Sequence, residues 1–335
     1  MFSILLRPVI LTIPLVALLS TPTVRTPPPA LLPPGERFVA EAVIQEDSGG
    51  AQVYLPITYR GQRATLQVVW TPSAGEQILL LPAALTRYHI MPNTPLGQQG
   101  VMDITLNGAT VRRHVTAVAD TGLGGDSLVA PPGLPPVIGW VSHDFMVHYD
   151  VVIDGPARRV RFYDPPRHAD GGTGTHTGAL PAGVLWRCVP AHIVGEDNLG
   201  FPVQVNGHPM TGALQTIPFP VINLAAAKAV GLTQHSPTVQ PVPDSLQTRS
   251  FYTGPELYTV TDLHVAIGAQ PLIGNAMRIL GRAPLEERPG EPFVEITLDN
   301  LLNTVVLLSR STQQACLGVG HTDVVAPGDH YLHRG

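Results

Sequence analysis

The most restrictive feature of this 335-residue sequence is that its second half repeats a pattern of its first half. Residues 55–61 read Leu-Pro-Ile-Thr-Tyr-Arg-Gly, and residues 201–207 read Phe-Pro-Val-Gln-Val-Asn-Gly, so that Gly61 recurs 146 residues later as Gly207. Each segment alternates apolar and polar residues like a half-buried strand and ends in a glycine turn. A repeat of this kind predicts two copies of one β-domain.

Two further matches support the duplication. Residues 152–154 (Val-Ile-Asp) match residues 297–299 (Thr-Leu-Asp), 145 positions later, and another predicted strand follows each of them. Residues 136–139 (Pro-Val-Ile-Gly) match residues 271–274 (Pro-Leu-Ile-Gly), 135 positions later. The three matches occur in the same order, and the shorter last offset predicts an insertion around residues 282–291 in the second copy.

The composition favours an all-β fold. The 35 prolines and 33 glycines are spread along the chain, which is typical of short strands joined by many turns. Few helices are expected, and the best candidates are residues 82–88 and 224–230. The predicted organisation, in chain order, is a signal peptide (1–20), a proline-rich linker (21–36), lobe one (37–166), a linker (167–183), lobe two (184–312) and a C-terminal tail (313–335).

The N-terminus has the features of an export signal. Arg7 precedes an apolar run over residues 8–19, which is too short to span a bilayer comfortably. Cleavage after Ser20 would place Leu18 where a small residue is preferred, so an uncleaved anchor is the alternative. We therefore expect a periplasmic or extracellular protein, either free or tethered to the membrane through this segment alone.

The two cysteines, Cys188 and Cys316, leave two alternatives open. In an exported protein they can form one disulfide. They can equally remain two unpaired thiols, because the sequence does not show whether the side chains meet.

Several classes of function lack support in the sequence. Charged residues make up 13% of the chain, the net charge is -5 and Lys228 is the only lysine, so nucleic-acid binding has no electrostatic basis. The thirteen histidines show no metal-ligand spacing, and no phosphate-binding or dinucleotide motif is present. We expect no metal and no other cofactor, and the oligomeric state is left open.

A family resemblance is carried by six stretches of the sequence: residues 137–139, 144–145, 149–154, 157–163, 201–209 and 221–232. These stretches are similar to the retropepsin-like domain of bacterial aspartic proteases and, as a duplicated pair, to the pepsin-like proteases. The resemblance covers most of residues 50–310 and implies a two-lobed acid-protease fold.

The resemblance also implies where catalytic aspartates would lie. Acid proteases hold one aspartate from each lobe close together, and the pair shares one proton so that it can activate a water. In lobe two the aspartate's place is taken by Gln215, followed by a retained Thr216. In lobe one it falls on Val69, or on Trp70 if one residue is inserted. None of these side chains exchanges a proton at ordinary pH, so we predict that peptidase activity is absent.

A literal Asp-Thr-Gly occurs at residues 120–122. It lies only 17 residues before Gly139, which is too few for the flap, helix and strand that the family places there. We interpret Asp120 as a turn residue. Glu76, the nearest acid after the first degenerate position, is interpreted as a solvated turn residue.

Three functional hypotheses follow. In the first, the chain is a noncatalytic aspartic-protease homologue whose interlobe cleft binds an extended peptide. In the second, it is an active aspartic-type endopeptidase that uses a non-standard acid such as Asp120. In the third, it is a structural envelope protein with a closed cleft. The first hypothesis places five residues along the groove: Val69, Trp70, Thr71, Gln215 and Thr216.

Overall fold

A computed structural model describes most of the two repeated halves. All of the described residues lie in one compact unit, Leu31–Gly335. They are residues 37–47, 50–68, 78–81, 99–106, 109–117, 130–142, 148–164, 184–195, 198–215, 219–242, 256–274, 276–283, 286 and 288–319.

The described part of the first half consists of strands. Its alternating segments pair into antiparallel hairpins, with apolar side chains buried on one face and polar ones outside. The strands are β1 (Arg37–Asp47), β2 (Gly50–Tyr59), β3 (Gln62–Val68), β4 (Ile78–Leu80), β5 (Gln99–Leu106), β6 (Ala109–Ala117), β7 (Val137–Val141), β8 (Asp150–Asp154) and β9 (Arg159–Asp164).

The second half adds thirteen strands and two short helices within its described residues. The helices are α1 (Leu224–Ala229), capped by the side chain of Asn223, and a 3-10 helix (Leu298–Leu301). The strands are β10 (Leu185–Pro190), β11 (His192–Val194), β12 (Asn198–Val205), β13 (His208–Leu214), β14 (Val221–Asn223), β15 (Val239–Pro241), β16 (Glu256–Val260), β17 (Val265–Ile267), β18 (Gln270–Pro271), β19 (Met277–Leu280), β20 (Phe293–Ile296), β21 (Val305–Ser309) and β22 (Gln314–Val319).

The two halves share one strand topology. In the first half β3 runs parallel to β7, β4 runs parallel to β6, and β4 is antiparallel to β7. In the second half β13 runs parallel to β20, β14 runs parallel to β19, and β14 is antiparallel to β20. The prediction of an all-β, two-lobed acid-protease fold built by internal duplication is confirmed. The predicted helix at 224–230 is also confirmed, whereas the one at 82–88 lies outside the described residues.

Backbone conformation repeats as well. The β2–β3 and β12–β13 turns both place their two central residues in the left-handed region, with φ of 47° and 78° at Arg60 and Gly61 and of 49° and 80° at Asn206 and Gly207. This pair of positive φ angles is the requirement of a tight two-residue hairpin turn. The agreement within a few degrees supports the offset of 146 residues between these hairpins.

The terminal hairpins, β8–β9 and β21–β22, repeat in the same way at a different offset. Arg158 and Gln313 occupy equivalent turn positions with φ of 54° and 51°. The carbonyl oxygen of Arg158 accepts a hydrogen bond from the amide of Ile44 (3.0 Å), and that of Gln313 accepts one from the amide of Ala191 (2.8 Å). The offset at this end of the repeat is therefore 155 residues.

This offset corrects two of the three sequence matches. Gly139 lies opposite Leu66 on β3, and the position opposite Gly212 on β13 is Val294 rather than Gly274. Residues 152–154 correspond to residues 307–309 of β21, because residues 297–299 lead into the 3-10 helix. Short apolar motifs recur on several strands of such a fold, so they do not fix the alignment by themselves.

The halves meet in a shared sheet whose order is β10-β22-β21-β8-β9-β1. At its centre β8 and β21 pair antiparallel, from Asp154 opposite Val305 to Val151 opposite Leu308. One face of this sheet belongs to the main core, which runs through both halves. The other face carries a separate buried cluster, here called the outer cluster: Val152, Tyr163, Val305, Leu307 and Cys316, with Trp186 packed against it.

Strand β22 lies in the segment that the sequence assigned to the tail. The strands of the second half therefore continue to Val319, and Cys316 lies within a strand rather than beyond the last one. Cys316 is directly opposite Cys188 on β10, and the two form a disulfide with a Cα–Cα distance of 3.9 Å. The bond ties the outermost strand of the shared sheet to its neighbour.

Candidate functional site

The candidate site of the second half is Gln215, the residue that follows β13. Its backbone amide donates to the carbonyl oxygen of Ile296 at 2.9 Å, which continues the parallel pairing of β13 with β20. Its side chain is 0% exposed, and neither amide atom has a hydrogen-bond partner among the described residues. The structure thus places a buried, neutral carboxamide, unsatisfied within the described residues, where the resemblance implied a carboxylate.

The local sequence explains this position. Side chains alternate between faces along a strand, and Leu214 enters the main core while Ala213 belongs to a smaller cluster on the other face. Gln215 continues that alternation and lies on the face of Ala213. The parallel pairing of β13 with β20 fixes this register, so the side chain of Gln215 is buried together with those of its neighbours.

Polar groups surround this strand end. Glu295 of β20 lies opposite Ala213 and is 0% exposed, and Thr297 is 1% exposed. The side chain of Asn300 accepts from the amide of Thr297 (2.9 Å) and donates to the carbonyl of Ile273 (2.8 Å). These hydrogen bonds fix the start of the 3-10 helix behind the site.

Sequence reasoning missed Glu295. The run Phe-Val-Glu-Ile over residues 293–296 is apolar except for Glu295, and a carboxylate in a strand is expected to lie on a solvated face. All four residues of β20 are buried instead, because the strand lies between β13 and β14 and is covered on both faces. The signal that was available is a short, mostly apolar run that directly follows a turn containing glycine and proline (residues 288–292), which suits a central strand.

The strand registers relate the ends of β3 and β13. Val68 lies opposite Val141 on β7, as Leu214 lies opposite Ile296 on β20. The counterpart of Gln215 in the first half lies beyond the described end of β3, so its assignment to Val69 or Trp70 stays a prediction. Val69 and five other residues singled out from the sequence lie outside the described residues: Trp70, Thr71, Glu76, Asp120 and Thr216.

The chemistry open to Gln215 is that of an amide. Its carboxamide offers two donors and one carbonyl acceptor, and it neither gains nor loses a proton near neutral pH. Within the part of the chain that the structure describes, no cluster of three or more His, Cys, Asp or Glu is placed to hold a metal ion. No helix among those residues is long and apolar enough to cross a membrane.

Comparison with known proteins yields structural likenesses only. No family model matches the chain, and no curated protein does. Basic 7S globulin from soybean has a TM-score of 0.41 at 10% identity, over 85% of this chain and 97% of that one. A protein named edgp has a TM-score of 0.41 at 11% identity, over 85% and 95%. Conglutin gamma from lupine seeds has a TM-score of 0.39 at 12% identity, over 86% and 96%.

These findings correct the family resemblance drawn from the sequence. The assignment to the bacterial retropepsin-like or pepsin-like aspartic-protease family is wrong, because no family model matches and the similar structures above carry the names of other proteins, two of them seed globulins. The motifs behind the assignment encode hairpin turns and strand packing. Such features specify a fold rather than membership of one family.

Proposed function

We propose that this chain is an exported, noncatalytic protein of acid-protease-type fold that binds an extended peptide segment at the Gln215 site. The observation that carries the proposal is the carboxamide of Gln215 at the end of β13. An acid-protease mechanism needs a group that exchanges a proton at this position, and an amide does not.

The unsatisfied amide supports the choice of ligand. A buried polar side chain without hydrogen bonds costs about 1–3 kcal/mol, so a ligand that satisfies it gains affinity there. The peptide group presents one N–H donor and one C=O acceptor, which complement the carboxamide of Gln215. Export is supported by the Cys188–Cys316 disulfide, since such bonds persist in oxidising compartments.

Binding of a fluorescent decapeptide library, followed by anisotropy and by mass spectrometry of the recovered peptides, tests the proposal. We expect a subset of peptides to bind and to be recovered intact. Replacing Gln215 with Leu should weaken their binding about tenfold, as expected for the loss of about 1.4 kcal/mol of hydrogen bonding. The matched control is Gln67→Leu, because the Gln67 amide already donates to Gln52 (2.8 Å) within the first half.

A structural role in the cell envelope is the second candidate, and the complete burial of Gln215 favours it. In that case the two halves close over the site and no peptide of the library binds. Equal binding by the parent and by Gln215→Leu would move the peptide site away from Gln215 and contradict the proposal.

A further inference from the structure

Each half of the protein holds the terminal hairpin turn of the other. The turn of β8–β9 approaches the segment just before β21, and the turn of β21–β22 approaches the start of β8. The two contacts occupy equivalent places in the repeat, and they differ in chemistry.

The first contact is made by backbone groups and one guanidinium. The amide of Gly155 donates to the carbonyl of Thr304 at 3.0 Å, and Arg158 donates to the carbonyl of Leu302 at 2.9 Å. A Cβ atom at position 155 would lie 2.1 Å from the carbonyl oxygen of Leu301. Glycine is therefore required where the backbones of the two halves come closest.

The second contact is made by a buried carboxylate. Asp150 is 0% exposed, and one of its oxygens accepts from the amides of Arg310 (2.7 Å) and Ser311 (3.1 Å). Its other oxygen accepts from the hydroxyls of Ser309 (2.8 Å) and Ser311. All four donors belong to the end of β21 and the turn that follows it in the other half, and the position there equivalent to Asp150 is the apolar Val305.

A further hydrogen bond and the outer cluster reinforce the junction. The side chain of Asp299, in the second half, accepts from the amide of Ala51 at the β1–β2 turn of the first half (2.9 Å). The outer cluster takes Val152 and Tyr163 from the first half and its remaining members from the second. A buried carboxyl group is stable only when its hydrogen bonds are made, so the Asp150 side chain and the docked β21–β22 turn stabilise each other.

We infer that these reciprocal contacts lock the two halves into a single cooperative unit, with the Asp150 carboxylate as the principal lock. Neither half then unfolds without the other, and the two halves do not move as separate rigid bodies about a hinge. This inference does not depend on the proposed peptide binding.

Two single-tryptophan proteins test it, one with its reporter inside the first half and one with its reporter on β10, where it packs against the outer cluster. Trp140 lies on β7 in the first half and Trp186 on β10 in the second, so Trp70→Phe combined with either Trp186→Phe or Trp140→Phe leaves one reporter. Urea unfolding should give the same midpoint for both reporters. Different midpoints in the two proteins would overturn the inference.

In each background Asp150→Ala should lower the midpoint by on the order of 1 M urea, because it leaves the turn's donors unsatisfied. Ser311→Ala removes one hydroxyl donor from an exposed residue, so it should lower the urea midpoint by a smaller amount. This variant provides the test if Asp150→Ala does not fold. The control is Glu41→Ala, whose ion pairs with Arg159 and Arg161 lie within the first half and near the surface. If Asp150→Ala and Ser311→Ala both match that control, the inference fails.

Discussion

At the scale of single residues, the molecule keeps a buried amide whose hydrogen bonds are not made by the described part of the chain. Gln215 has 0% exposure, and its backbone is held by β20 while its side chain is not. Two explanations give opposite expectations for the ligand-free protein. Either the amide costs stability and is retained for binding, or it contributes to the fold.

The account predicts that Gln215→Leu stabilises the free protein. Leucine has a similar size and no polar atoms, so removing the unsatisfied amide should raise the free energy of unfolding by about 1–3 kcal/mol. Urea unfolding of the parent and the variant measures this. Gln67→Leu is the control and should be neutral or destabilising, because it removes a partnered amide. A loss of stability in Gln215→Leu would show that the amide is satisfied in solution.

The sequence located Gln215 but not its surroundings. Position 215 follows from counting along a strand from the repeated turn glycine, and that count survives because the hairpin registers are the same in both halves. Glu295 was not predicted, because burial on both faces of a four-residue strand is a tertiary property that alternation does not show. The choice between Val69 and Trp70 falls on residues outside the described part of the chain.

At the scale of elements, glycine acts through two separate physical effects. Gly207 has a φ of 80°, and no atom lies within 4 Å of the place that a Cβ would take there. Glycine is therefore required at this position by the backbone conformation. Gly139 on β7 has an ordinary φ, but a Cβ there would lie 2.0 Å from the carbonyl oxygen of Leu79 on β4. Glycine is required at position 139 for a steric reason, because β4 and β7 pair closely there.

These two positions should respond differently to alanine. Gly207→Ala should cost about 1 kcal/mol, the usual penalty for a left-handed alanine. Gly139→Ala should cost at least about 3 kcal/mol, because the backbone of β4 must move away from β7. Denaturant midpoints of both variants check this, and equal effects at the two sites would contradict it.

The disulfide supports the edge of the shared sheet. β10 has β22 as its only strand neighbour in that sheet among the described residues, and Cys188–Cys316 closes a loop of 128 residues across this pair. Replacing both cysteines with serine should lower the free energy of unfolding by about 3–5 kcal/mol. Hydrogen exchange should rise first over residues 185–190, and unchanged protection there would contradict a role of the bond at the sheet edge.

At the element scale the sequence indicated the long hairpins well and the short parallel strands poorly. β2, β3, β12 and β13 have clear alternation and tight turns, so they were evident as a repeat. β4 and β14 have three residues each, which is too short for any periodicity to appear. Two repeat matches were misaligned for a related reason: they rest on motifs of three or four residues, and motifs this short recur on several strands.

At the scale of the whole molecule, duplication has produced two similar halves with different chemistry at equivalent positions. Asp150 corresponds to Val305 and Trp140 to Glu295 in the repeat defined by the strand registers. The fold tolerates these differences because the shared sheet and the main core run through both halves. The repeated strand topology has therefore not required the same residues at equivalent positions.

The most direct test of the noncatalytic account is a peptidase assay on the purified full-length chain between pH 2 and pH 8. Internally quenched decapeptides should be recovered uncleaved at every pH, because neither Val69 nor Gln215 supplies the carboxylate that an acid-protease mechanism requires. Robust cleavage that pepstatin inhibits would contradict the account. Loss of that cleavage in Asp120→Asn would then identify the acid responsible.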